Sequence, residues 1–171
     1  MAEALHGRSL GTLLFDLLEP PEAEDRANVF DIGSLAQRLL AATAWVRAVP
    51  ECEALPIGYF GASTGAAAAL VAAVAPGSPV AAVVSRGGRP DLAEAVLASV
   101  RAPTLLIVGG VDTQVLELNQ DAQRQLQRSN RLSVVAGATH LFEEPGTLEA
   151  VAALAGDWFR DHLRNASHAA S

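Results

Sequence analysis

This chain of 171 residues has one cysteine, no lysine and few aromatic residues, at 5%. A lone thiol, Cys52, excludes an internal disulfide framework and suits a reducing compartment. It follows the helix stop at Pro50 and is expected to be inert. All 12 basic residues are arginine, and 19 acidic residues outweigh them to give a net charge of -7. Without a basic face, neither nucleic acid nor an anionic membrane is an expected partner. The chain also lacks an apolar run long enough to span a bilayer, and its start, MAEALHGRSL, lacks a basic region followed by a hydrophobic one. A cytoplasmic location is therefore expected. No cluster has metal-ligand spacing and no G-x-G-x-x-G follows a strand, so no metal or cofactor is called for. There is no internal repeat or low-complexity segment.

What is present fits one globular domain over residues 1–171, with 1–10 and 165–171 peripheral: 50% of the residues are hydrophobic and 18% charged. Apolar runs at Gly11–Leu18, Ile57–Phe60, Val80–Ser85, Thr104–Val108 and Leu132–Ala136 read as strands. Helical spacing is expected from Leu35 to Val49, with Asp31 or Ser34 as cap, and over Thr64–Ala75, Asp91–Ser99, Gln114–Arg128 and Thr147–Leu163. The proline-containing stretch Glu19–Asp31 reads as a loop over one sheet edge, and Asn165–Ser171 as a frayed tail. Strands alternating with helices predict an α/β fold with a mainly parallel sheet and helices on both faces, a three-layer αβα sandwich.

The chain is organised around LPIGYFGASTGAAAAL, residues 55–70, in which a strand, a tight turn and an alanine-rich helix follow one another. Gly61-Ala62-Ser63-Thr64-Gly65 is a G-x-S-x-G pattern, the spacing of a nucleophile elbow. A serine at so sharp a turn is strained and crowded, so residues without a β-carbon are expected on both sides of it. The N–H groups at the start of the following helix face any negative charge that develops at the serine, and the Thr64 N–H is the expected oxyanion donor.

Sites in parallel sheets gather beyond the carboxyl ends of the strands. That rule selects Ser63, Asp112 after TLLIVGG, and His140 after RLSVVAGAT. A nucleophilic serine needs a base, and the base needs a carboxylate to orient it; the chain supplies them in the order Ser, Asp, His. Each has a plainer reading: Ser63 as a turn serine, Asp112 as a helix cap with Glu117 or Glu143 as substitute acids, and His140 as a structural loop residue. Arg86 and Arg89 are candidates for binding a substrate carboxylate or phosphate, or else are solvated or paired with a nearby acid. His6, His162 and His168 are expected at the surface.

The succession GASTG, GGVD and GATH, with SRGGRPDL and GATHLFEEPG, resembles the α/β-hydrolase superfamily. Within it the chain is similar to the small dienelactone-hydrolase-like group, which includes domains joined to phosphoribosyltransferases. The resemblance runs from Gly11 to Leu163 and implies an α/β-hydrolase fold, with Ser63 as nucleophile, Asp112 as acid and His140 as base. Dienelactone hydrolases proper carry cysteine at the elbow, whereas this chain carries Ser63, so hydrolysis of small carboxylic esters is the expected activity. Against that group's pattern an N-terminally shortened form is expected, without the usual front strands and oxyanion loop before Gly11 and without one strand beside the elbow strand. The expectations that follow are a lost oxyanion donor, a catalytically impaired binding or assembly domain or hydrolase fragment as the competing reading, and homo-oligomerisation through an exposed sheet edge.

Overall fold

The computed structural model describes residues 1–169. Its elements in chain order are α1 (Ala2–His6), α2 (Pro20–Ala23), α3 (Arg26–Phe30), α4 (Ile32–Ala48), β1 (Ile57–Ala62), α5 (Thr64–Ala73) and β2 (Val80–Arg86). A 3₁₀ turn (Pro90–Ala93) leads into α6 (Glu94–Leu97), followed by β3 (Thr104–Gly109), α7 (Thr113–Gln125), β4 (Asn130–Val135) and α8 (Thr147–Ala169). The four strands pair in parallel in the order β1-β2-β3-β4.

Each crossover steps one strand further in the same direction. Because such crossovers are right-handed, the connecting helices must then collect on one face of the sheet. They do: Ala67, Ala68, Ala69 and Leu70 of α5, Leu97 of α6 and Ala122 of α7 share one core with Leu35 and Ala36 of α4. The other face is left to the chain's two ends, with Leu5 of α1 packing with Val151, Ala155, Trp158 and Phe159 of α8. Successive strand residues alternate between the two cores. Val83 and Leu106 enter the first; Ala82, Val84, Leu105 and Ile107 enter the second. This is the three-layer α/β arrangement expected from the alternation of strands and helices. Residues 1–10, expected at the periphery, instead bury Leu5.

Three local expectations are corrected. Gly11–Leu18 is not a strand: Leu13, Leu14 and Phe15 are exposed, and none of its N–H groups donates to backbone among the described residues. Leu10 packs on one core and Leu17 and Leu18 on the other, so this stretch crosses the edge of the sheet beside no partner strand. The outer edge of β1 is likewise unpaired among the described residues. Glu19–Asp31 holds two short helices in place of a loop. Prolines 20 and 21 occupy the first turn of α2, where a missing N–H costs nothing, and the Glu19 and Glu22 side chains form a reciprocal capping box. Asp31 caps α4 through the Ser34 N–H at 3.0 Å. Finally, α8 continues to Ala169 in place of ending at Leu163; residues 170 and 171 of the expected frayed tail lie outside the described residues.

Among the described residues no helix is long and apolar enough to cross a membrane, and no group of three or more histidine, cysteine or acidic side chains is placed to hold a metal. His162 is half-buried, not at the surface as expected. Its ring lies 4.2 Å from that of Trp158, and burial lowers its pKa.

Candidate active site

Ser63 stands between β1 and α5 with φ 50 and ψ -122. A residue with a β-carbon is strained in this backbone region, and such strain persists only where the surroundings over-determine it. Besides the Ala66 N–H, which donates to the Ser63 carbonyl at 3.2 Å, two backbone hydrogen bonds to the loop after β2 do so here. The Ser63 N–H donates to the Arg86 carbonyl at 3.3 Å, and the Arg89 N–H donates to the Ser63 carbonyl at 3.1 Å. The glycines of the motif are not equivalent. A β-carbon at Gly61 would sit 2.5 Å from the Gly65 carbonyl oxygen and 2.6 Å from the Ala66 Cα, whereas one at Gly65 would meet nothing within 4 Å. Only Gly61 meets the expected steric demand.

Asp112 begins α7 but does not cap it; no side-chain capping bond forms there. Its Oδ2 instead lies 2.7 Å from Nδ1 of His140. This contact answers the plainer reading of Asp112, and among the described residues Glu117 and Glu143 make no hydrogen bond to His140. The Asp112 side chain is 16% exposed and that of His140 40%, so the pair is shielded on the acid side and open on the base side. With Nδ1 committed to the carboxylate, Nε2 is the ring nitrogen left to handle a proton. The structure thus brings Asp112 and His140 together, while Ser63 Oγ has no hydrogen-bond partner among the described residues. Such contacts are commonly loose before substrate arrives.

The His140 loop is fixed from below and behind. Wholly buried Phe142, with φ 57, anchors it in the second core, and the Glu144 carboxylate accepts the Thr139 N–H at 3.1 Å. The hydrogen bonds from Thr139 hold the Glu144 pKa below its ordinary value. Gly109 permits the close approach to β3: a β-carbon there would lie 2.5 Å from the Thr139 carbonyl oxygen.

The two arginines differ. Arg89 is taken up by Asp91 through two hydrogen bonds of 2.9 and 2.7 Å. Arg86 has no carboxylate partner among the described residues; its guanidinium lies 5.4 Å from the Phe142 ring centre and makes a long contact of 3.4 Å to the Leu141 carbonyl. Burial lowers its pKa. The Thr64 N–H also has no acceptor among the described residues. Sequence reasoning missed Gly87, whose φ of 52 brings the backbone against His140, and Asn119, treated below. The run Arg-Gly-Gly-Arg after a strand was the available signal for the first.

A model of the dienelactone hydrolase family matches residues 22–164. The chain belongs to the dienelactone hydrolase family. A dienelactone hydrolase from Anabaena variabilis, solved by crystallography, is 55% identical and superposes with a TM-score of 0.87 over 95% of this chain and 77% of its own. Est1E from Butyrivibrio proteoclasticus has a TM-score of 0.68 over 78% of this chain and 71% of its own; at 14% identity it shows the shared fold alone. Two Mycobacterium tuberculosis proteins that carry the name phosphoribosyl transferase are each 64% identical over 163 residues, 95% of this chain. This family member spans only 37% of their length, so their name is not transferred to it.

Proposed function

We propose that the chain hydrolyses small carboxylic esters through an acyl-enzyme on Ser63. The observation that carries this reading is the 2.7 Å contact between Asp112 and His140, made beyond the carboxyl ends of β3 and β4, on the same edge of the parallel sheet as the strained Ser63 turn after β1. In the first half-reaction Ser63 Oγ bonds to the ester carbonyl carbon while His140 Nε2 takes its proton. Asp112 holds the ring and stabilises the imidazolium, and the Thr64 N–H binds the oxyanion. Collapse breaks the carbon–alkoxide bond, and the alcohol leaves with the proton from His140. Water then attacks the acyl carbon, giving its proton to His140, and the acid is released as that proton returns to Ser63.

Arg86 adds a preference. It is a half-buried cation without a carboxylate partner among the described residues, its carbonyl accepts the Ser63 N–H, and it fits an acidic group on the substrate by bidentate contact. Arg86→Ala is expected to raise KM for a p-nitrophenyl hemisuccinate about 10-fold or more, the loss of one charge-assisted hydrogen-bonded contact. The neutral acetate should be little affected. Equal effects on both esters would remove Arg86 from the substrate site.

One observation favours a second reading, an assembly module: the outer edge of β1 is unpaired among the described residues and offers pairing to a second copy of the chain. The readings part on the reactivity of the serine. p-Nitrophenyl acetate should give a burst of about one nitrophenolate per chain, and a fluorophosphonate should block it by modifying Ser63, as read by peptide mass. An unmodified Ser63 with no burst would leave only the assembly reading.

A further inference from the structure

Asn119 lies on the α7 helix that starts beside Asp112, about two turns further on. It is a wholly buried polar residue on a helix whose sequence reads as polar-faced. Its Nδ2 donates to the Val115 carbonyl at 2.8 Å and to the Gly88 carbonyl at 3.0 Å. The first bond stays within α7; the second ties α7 to the loop after β2. Burying an amide side chain is costly unless its hydrogen bonds offset the desolvation; Oδ1 has no partner among the described residues, so the offset falls to the two Nδ2 bonds, of which the one to Gly88 reaches outside α7.

That loop touches both halves of the site. Residues 86 and 89 hold the Ser63 backbone by the two hydrogen bonds described above, and a β-carbon added to Gly87 would lie 3.5 Å from both Nδ1 and Cε1 of His140. Gly88 itself is pressed against the elbow helix, since a β-carbon there would fall 2.8 Å from Ala66 Cβ.

We infer that Asn119 is a positioning residue that fixes the Arg86–Pro90 loop to α7, and so sets Ser63 and His140 in one frame with Asp112. This rests on the ester-hydrolase reading. A small displacement of reacting groups costs rate far more than binding, so Asn119→Leu, which keeps the branched shape but cannot donate, should lower the acylation rate about 10- to 100-fold. KM should stay within about 3-fold and the burst amplitude per chain should be unchanged. The experiment is stopped-flow p-nitrophenyl acetate hydrolysis by the full chain and the variant, fitted for burst rate and amplitude separately. If Asn119→Leu does not fold, Asn119→Ser is measured the same way. A lower amplitude at the native rate would show a purely structural residue and overturn the inference, as would a native rate at native amplitude. Absence of a burst in the unmodified chain would overturn the ester-hydrolase reading first, and the inference with it.

Discussion

Ser63→Ala is expected to lower p-nitrophenyl butyrate turnover by about 10⁴- to 10⁶-fold, with no loss of thermal stability. In the proposed mechanism the loss is large because the three residues act as a unit: with Oγ gone, the Asp112–His140 pair would have no nucleophile to deprotonate. What remains is whatever binding and the Thr64 N–H contribute. Stability should hold for a separate reason. Ser63 Oγ has no hydrogen-bond partner among the described residues, and alanine meets the same strain at φ 50, so the change removes no interaction of the folded state. Turnover and a melting curve on the same samples check both halves. Turnover within about 10-fold of the original would sink the serine mechanism.

Gly61→Ala and Gly65→Ala should move stability in opposite directions although both alter the same motif. A β-carbon at position 61 collides with backbone atoms of residues 65 and 66, which cannot rotate away as a side-chain tip could. Overpacking of this kind costs about 1–3 kcal/mol, and here relief must come from moving the start of α5, which carries the Thr64 N–H and adjoins Ser63. Activity should fall with stability. Position 65 faces open space within α5 and lacks a positive φ, so alanine there is expected to gain up to about 1 kcal/mol from helix propensity. Urea unfolding of the two variants, compared by midpoint at constant slope, decides it. Equal destabilisation would show that the space beside Gly65 is not open in solution.

The sequence is informative wherever the signal is local. β1 to β4 begin and end within a few residues of the apolar runs that predict them, most directly β3, which is buried along its whole length and so needs little beyond continuous hydrophobicity and a turn at each end. The short helices at Pro20–Ala23 and Arg26–Phe30 are also locally encoded, but the prolines of the first read as breakers although they occupy positions a helix start favours. Arg89 is similar: Asp91, two residues later, is a partner visible in the sequence.

By itself, the sequence determined the identity and order of Ser63, Asp112 and His140, the parallel character of the sheet, and the elbow that strains Ser63, since each depends on residue type and spacing along the chain. Only the tertiary structure decided which of these groups meet. The choice of Asp112 over Glu117 or Glu143, the pairing of Arg89 with Asp91 while Arg86 has no acid among the described residues, and the burial of Asn119 against Gly88 all depend on how the folded chain places its side chains. The same holds for Gly11–Leu18, whose apolar run is strand-like in composition. A strand exists only when a neighbour accepts its hydrogen bonds, and that condition is set by the fold around a segment, not by the segment.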